Sequence, residues 1–317
     1  MRAIIAVLTF AAVSASNHQG VDVFKHGEAN YSCFRIPSFL RLPGGQLAVF
    51  CEGRKLSCND HGWVDIVYKT SADGGATWSP LGLVYSNSTA TKQVTVGNPS
   101  PVVISGQVLL LFCRNNREIF MLRSSDGLSW NGPPTEITTA ALGPARAANV
   151  SWIATGPPQG LVVHGQTASE ADRILIQANY RGAPTAGKDV GLALISDDGG
   201  KSWRPSKGLV PACNEGQIAP AQNGSLLMNC RTAGYHRLLS YSDDRGESWS
   251  TPSALYLGRT GSNSPCEGST VLAGAGKLLL FSHNFGAAGC SVWGQRCNMT
   301  IWSSADSGGK WRHMQQV

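Results

Sequence analysis

The chain is poor in charge: Asp, Glu, Lys and Arg make up 15% of its 317 residues, against about 25% in an ordinary globular protein. That shortage excludes a coiled coil, a long-helix bundle and a charge-rich disordered segment. The 26 Lys and Arg outnumber the 20 Asp and Glu, giving a formal charge of +6. They are scattered, however, and the clustered basic face of a nucleic-acid-binding protein is missing. No C-x-x-C pair occurs among the nine cysteines, which argues against a zinc site, and no other feature calls for a metal or cofactor. After residue 13 no apolar run approaches the ~18 residues that a membrane-spanning helix needs. Glycine, by contrast, is plentiful: 37 residues, about 12% where ~7% is usual. With 9 Trp and little charge, the composition points to short strands joined by Gly-rich turns, an all-β protein.

The N-terminus reads as an export signal. Met1-Arg2 supplies charge, Ala3 to Val13 an apolar stretch, and Ser14-Ala15-Ser16 the small residues of a cleavage site. Residues 1–16 are therefore expected to be a signal peptide and 17–317 one mature domain. Five Asn-x-Ser/Thr acceptors, at Asn30, Asn87, Asn149, Asn223 and Asn298, fit a secreted protein or a resident of an endomembrane lumen, the lysosome included. Nine cysteines allow disulfides there and leave at least one unpaired. The closest pairs in sequence are Cys51 with Cys58 and Cys290 with Cys297, but sequence alone leaves the connectivity open.

One phrase recurs along the chain. It reads Ser71-Ala-Asp73-Gly-Gly75-Ala-Thr-Trp78, then Ser196 to Trp203, Ser242 to Trp249 and Ser304 to Trp311, with a copy one residue shorter from Ser124 to Trp130. Its chemistry is that of a hairpin turn: Asp accepts backbone hydrogen bonds, Gly supplies positive φ, and Trp packs under the turn. Strands are expected before each copy, at Val64 to Tyr68, Ile119 to Leu122, Gly191 to Ile195, Leu238 to Tyr241 and Asn298 to Trp302. A second phrase, a glycine followed by an apolar run, precedes four of them at Gly45, Gly106, Gly224 and Gly276. Glycine turn, buried strand, second strand and Asp turn make an up-and-down sheet the size of a propeller blade. A β-solenoid fits poorly because its repeats are much shorter. The repeated aspartates are read as turn residues rather than catalytic ones.

Outside the repeats, arginines stand at expected strand ends. Arg35 lies in Phe34-Arg35-Ile36-Pro37, Arg54 in Cys51-Glu52-Gly53-Arg54, Arg231 follows Leu226 to Cys230, and Arg296 precedes the last expected strand. Joined to the Asp turns, this set resembles the sialidases (exo-α-neuraminidases), from about Tyr31 to Val317. The resemblance implies a six-bladed β-propeller. It implies that Arg35, Arg231 and Arg296 grip the substrate carboxylate, as guanidinium forks from separate blades can. Arg54 matches a further substrate-contacting arginine, and Asp60, in Cys58-Asn59-Asp60-His61-Gly62, the general acid/base. Asp65 is its competitor, but falls within an expected strand. Glu215 matches the glutamate that polarises the nucleophile, and Tyr180 a segment that contacts the sugar. The implied substrates are sialylated glycoproteins, glycolipids or oligosaccharides. The implied reaction is retaining hydrolysis by a Tyr nucleophile, with Asp60 protonating the leaving oxygen and then activating water.

The match departs at that nucleophile. None of the seven tyrosines follows Arg296, so the role stays empty. From Asp73 to Asp306 the spacing averages about 58 residues, so six blades would want roughly 350. The expectation is a chain whose last blade is incomplete, and a binding propeller without turnover is the alternative to a working sialidase.

Overall fold

The computed structural model describes residues 20–167, 169–183, 185–234, 236–257, 266–283 and 299–316. The expected signal peptide, Arg296, Cys290, Cys297 and the Asn298 acceptor lie outside them. The described residues form five antiparallel sheets arranged as the blades of a β-propeller. Blade 1 comprises β1 (Cys33–Arg41), β2 (Leu47–Arg54), β3 (Val64–Ser71) and β4 (Gly82–Tyr85). Blade 2 comprises β5 (Val96–Ile104), β6 (Gln107–Arg114), β7 (Glu118–Ser124) and β8 (Thr135–Glu136). In blade 3, β9 (Val150–Thr155) and β10 (Leu161–Val163) both pair with β11 (Arg173–Gly182). The break between them holds Gly156-Pro157-Pro158, whose prolines have no N–H for a ladder. Across the blade β12 (Val190–Ser196) pairs with both β13 (Arg204–Pro205) and β14 (Val210–Pro211). Blade 4 comprises β15 (Gly216–Pro220), β16 (Leu226–Cys230), β17 (Arg237–Ser242) and β18 (Ser253–Leu255). Blade 5 comprises β19 (Ser269–Ala273), β20 (Lys277–His283), β21 (Met299–Ser304) and β22 (Arg312–Gln316). The sixth blade of the expectation is not among the described residues.

The apolar runs after the glycine turns are strands buried on both faces. In β6, Val108, Leu110 and Phe112 pack with Phe50 and Ile66 of blade 1. The alternating set Leu109, Leu111 and Cys113 packs with Ile153, Ile174 and Leu194 of blade 3. Period-2 alternation thus sends one strand's side chains into two neighbouring cores, which is why the strand reads as unbroken hydrophobics. These six side chains are at most 1% exposed, and their burial stabilises the fold by on the order of 10 kcal/mol as an upper figure. The same alternation splits β16: Leu226 and Met228 face blade 3, and Leu227 faces blade 5. Adjacent blades touch in succession, β1 on β5, β5 on β9 and β11, β11 on β15, and β15 on β19.

Each Asp phrase closes the turn after the third strand of its blade. In blade 3, Ser196 Oγ donates to Asp198 Oδ1 (2.9 Å) and accepts from the Gly200 N–H (2.8 Å). Asp198 also accepts from the backbone N–H groups of Lys201 and Ser202 and from Ser202 Oγ, at 2.9, 2.9 and 2.6 Å. Gly200 takes φ +82°, and its Cα side lies against the Trp203 indole, where an added Cβ would sit 3.6 Å from the ring. The tryptophan plugs its own turn: Trp78, Trp130 and Trp311 each donate Nε1–H to the carbonyl three residues back. In blade 3 that carbonyl, of Gly200, accepts instead from Arg123 of blade 2 (2.6 Å). The turn thereby becomes a joint between blades.

Burial alone would raise the Asp198 pKa, but the Ser202 hydroxyl and backbone N–H, with Ser196 and Lys201, hold it down at about 2. A carboxylate depressed in the fold contributes stability that is full above its unfolded pKa, ~3.9, and is lost as pH falls through the folded value. Replacing Asp198 by Ala should lower the unfolding free energy by about 1 kcal/mol at pH 7, read as a shifted urea midpoint at constant slope. The difference from the parent should vanish as pH approaches 2. A difference that is constant between pH 7 and pH 2 would count against this role.

Candidate functional site

In blades 1 to 4 the loop between the second and third strands lies at the end opposite the Asp turn. In blade 1 this loop, residues 55–63, follows Arg54, which pairs across the ladder with Val64. The Phe-Arg-Ile-Pro phrase sits at the same end, at the start of β1. There the register slips between Arg35, opposite Glu52, and Ser38, opposite Phe50, with Ile36 at φ 56°. Such a bulge re-aims the side chains around it. Blade 2 repeats the device, with a slip between Gly97 and Ser100 and Asn98 at φ 57°. The pattern Gly97-Asn98-Pro99-Ser100 beside Arg35-Ile36-Pro37-Ser38 was a readable signal for it.

The blade 1 cluster is built from the inside outward. Glu52 is 3% exposed, and its Oε1 accepts from the Asn98 backbone N–H (2.9 Å). Gly97 leaves the room for it, since a Cβ there would lie 2.3 Å from that oxygen. Glu52 Oε2 accepts from Arg54 Nε (3.0 Å) and Nη2 (2.7 Å). Arg54 Nη1 donates outward to Cys58 O (2.7 Å) and to Asp60 Oδ1 (2.8 Å). Asp60 itself stands in the open, its side chain 75% exposed. Arg54, expected to contact substrate, is 2% exposed and spends four hydrogen bonds on Glu52, Cys58 and Asp60. It lies behind Asp60. Burial pushes the Glu52 carboxyl up against the pull of Arg54. Partial burial would raise the Asp60 pKa as well, but Arg54, then Arg35 and His61, hold it below the ordinary value. Asp65, by contrast, is a buried acceptor for Tyr31 Oη (2.9 Å) and Trp63 Nε1 (3.2 Å).

Arg35 is half-buried, and among the described residues no hydrogen bond or ion pair engages its guanidinium. Below it the Cys51 thiol donates to the Arg35 carbonyl (3.0 Å). Cys58 is disulfide-bonded to Cys33, not to Cys51, its nearest neighbour in sequence. That bridge ties the Asp60 loop to the strand carrying Arg35.

The blade 4 cluster repeats this arrangement. Glu215 and Arg231 face each other across the start of the β15–β16 ladder, with Arg231 Nη1 donating to Glu215 Oε2 at 2.5 Å. The backbone N–H of Arg231 donates to Glu215 O (2.7 Å), and that of Asn214 to Arg231 O (3.0 Å). A second disulfide, Cys213–Cys230, lies immediately behind both. A continuous chain of contacts joins the two clusters. His61 stands edge-on to Trp152 of β9, with ring centroids 6.1 Å apart, and the Arg181 guanidinium lies 4.9 Å over the Trp152 ring. Arg181 Nε donates to Asp189 Oδ1 (2.7 Å), Asn214 Nδ2 to Asp189 Oδ2 (2.8 Å), and the Glu215 N–H to Asn214 Oδ1 (2.8 Å). Arg35, Asp60, Glu215 and Arg231 therefore share one end of the propeller. Glu52, Trp152, Asp189 and Asn214, which the sequence reading did not single out, hold them there.

Tyr180 does not join this set. It is fully buried in the core between blades 2 and 3, and its hydroxyl donates to the carbonyl of Ala183 (2.8 Å). Alternation along β11 puts Asn179 and Arg181 on the opposite face, toward Asp189, so Tyr180 has no surface to offer a sugar. Arg296 lies outside the described residues.

Residues 45–317 match the family described as BNR repeat-like domain. The chain is 24% identical over 275 residues to a sialidase of Paraclostridium sordellii, covering 80% of this chain and 67% of that one. It is 33% identical over 129 residues to an exo-alpha-sialidase of Aspergillus fumigatus, covering 39% of this chain and 27% of that one. Among solved structures, the Hadza microbial sialidase Hz136 superposes with a TM-score of 0.75 at 20% identity. Trypanosoma rangeli sialidase superposes with a TM-score of 0.71 at 18% identity. These matches cover 94% and 90% of this chain, but the chain spans 62% and 48% of those proteins.

Replacing Glu52 by Gln removes the buried counter-ion of Arg54 and leaves only the exposed Asp60. The unfolding free energy should fall by about 3 kcal/mol, and backbone hydrogen exchange should accelerate in residues 55–63, whose anchor is Arg54. An unchanged urea midpoint with unchanged exchange would contradict the role given to Glu52.

Proposed function

The chain belongs to the BNR repeat-like family, and on that premise we propose that it is an exo-sialidase that releases terminal sialic acid from glycoproteins, glycolipids or oligosaccharides. One observation carries the reading: Arg35, a half-buried guanidinium with no partner among the described residues, lies close enough to Asp60 to depress its pKa. A free guanidinium fork is matched to a carboxylate, and sialic acid bears its carboxylate on the carbon whose glycosidic bond must break. Arg35 and Arg231, with Arg296 as the third arginine, bind that carboxylate. Asp60 donates its proton to the leaving glycosidic oxygen and then takes one from the attacking water. Glu215, held by Arg231, polarises the nucleophile of a retaining reaction. The architecture that goes with this reading is a ring of six blades, five of them formed by the described residues. Export to an oxidising compartment, the medium or an endomembrane lumen, agrees with the two disulfides. Among the described residues no helix is long and apolar enough to cross a membrane.

A second reading, a sialic-acid-binding propeller without turnover, is favoured by one specific observation. Among the described residues no tyrosine hydroxyl bonds to Glu215. The Tyr31 hydroxyl is committed to Asp65, and that of Tyr180 to backbone carbonyls.

Two sialosides separate these readings. An alkyl sialoside needs a proton on its leaving oxygen, whereas an activated aryl sialoside does not. The alkyl substrate should be hydrolysed at acidic pH and progressively less as pH rises, because Asp60 must be protonated and its pKa is lowered. Asp60→Asn should cost about 100-fold or more on the alkyl sialoside and far less on the aryl one. Binding of sialic acid with no release from either substrate would leave only the second reading, and neither binding nor release would overturn both.

A further inference from the structure

The chain just before Glu215 is wrapped around one carboxylate of blade 3. Asp189 ends the loop between β11 and β12 and is half-buried. Its Oδ1 accepts from Arg181 Nε (2.7 Å) and from the fully buried Asn179, whose Nδ2 stands 3.4 Å away. Its Oδ2 accepts from Asn214 Nδ2 (2.8 Å), and its backbone carbonyl from the Ala212 N–H (3.0 Å). Three side-chain donors, two from β11 and one from the approach to β15, thus converge on a group that has only acceptors to offer.

The polarity of this arrangement carries on to Glu215. Because Asp189 takes the Nδ2 side of the Asn214 amide, Asn214 turns its Oδ1 to the Glu215 N–H, which donates to it at 2.8 Å. The Asn214 backbone is pinned as well: its N–H donates to Arg231 O (3.0 Å) and its carbonyl accepts from Gln177 Nε2 (3.1 Å). Glu215 therefore leaves a fixed backbone on its way to Arg231 Nη1. Arg181 and Asn214 donate to opposite oxygens of Asp189. An amide at position 189 could keep one of those bonds, and would point its own NH2 at the other donor.

We infer that Asp189 is a positioning residue: acting through the Asn214 amide, its carboxylate fixes the Asn214–Glu215 backbone and so aims the Glu215 side chain at the reacting nucleophile. The inference rests on the sialidase reading for what Glu215 does. It goes beyond that reading in giving the alignment of a blade 4 group to a residue of blade 3. Asp60 is held separately, by Arg54 and the Cys33–Cys58 bridge, so its proton transfer lies outside the reach of Asp189.

The test is a hydrogen-bond swap made in the full chain. Asp189→Asn should lower kcat on the alkyl sialoside about 10-fold, the loss of one charge-assisted hydrogen bond. KM should stay nearly the same, because Arg35 and Arg231 still hold the substrate carboxylate, and the pH dependence set by Asp60 should not move. Hydrogen exchange of the Glu215 N–H should accelerate, also about 10-fold. Asn214→Ala cuts the same link while leaving Arg181 its partner, and should reproduce both changes. Combining Asp189→Asn with Asn214→Asp reverses the bond: residue 189 now donates, and residue 214 accepts from it and from the Glu215 N–H. Most of the rate and of the exchange protection should return. If Glu215 exchange is unchanged in both single variants, or the paired substitution restores nothing, the inference is overturned whether or not the chain releases sialic acid. An active chain whose kcat ignores all three variants would overturn it equally. If exchange responds as expected while the parent releases no sialic acid, the link from Asp189 to Glu215 stands and the sialidase reading falls.

Discussion

Everything in this fold depends on blades covering one another's faces, and blades 2, 3 and 4 are covered on both faces by their neighbours. A single four-stranded sheet of this chain has no core of its own: β6 divides its side chains between blades 1 and 3, and β16 between blades 3 and 5. The apolar packing runs from blade to blade and takes up the middle of the inner strands. Chemistry is thereby pushed to the strand ends. One end of each blade carries an Asp turn, which saturates its own backbone hydrogen bonds and has little left to offer a ligand. The other end carries the bulges, the unpaired guanidinium of Arg35 and the exposed carboxyl of Asp60.

Holding charges at those ends requires a second construction beneath them. In blade 1 the buried Glu52 fixes Arg54, which fixes Asp60, and the Cys33–Cys58 bridge closes the loop. In blade 4 the Cys213–Cys230 bridge sets Glu215 and Arg231 face to face. Both disulfides thus sit within two residues of candidate site residues. A buried ion pair such as Glu52–Arg54 adds little net stability over apolar side chains of the same volume. Its value here is geometric, because it aims one guanidinium outward at the acid.

The blades were legible in the sequence because their signals are local. The Asp phrase, the glycine turn and the apolar run each encode one turn or strand, and all five expected strands before the Asp phrases appear, at β3, β7, β12, β17 and β21. Asp60, Glu215, Arg35 and Arg231 were legible through the resemblance, and the fold brings them to one end. What sequence could not show were relations across blades and faces. The burial of Tyr180 follows from alternation along β11, where the neighbouring odd-numbered residues face Asp189. Nor could the partner of Cys58 be read from spacing, because strand pairing brings Cys33 nearer than Cys51 can come. Glu52 looked like an ordinary strand residue until Gly97 and the Asn98 bulge of the next blade enclosed it.

The central claim is that blades 1 and 4 together form one site for an anionic sugar. Calorimetric titration with free sialic acid tests it most directly, on the parent chain and on Arg35→Ala and Arg231→Ala variants that unfold at the same urea midpoint as the parent. The account predicts binding by the parent and a loss of more than about 10-fold in affinity in each variant, as expected for a charge-assisted hydrogen bond removed. Binding that survives both substitutions unchanged, or no binding by the parent, would contradict it.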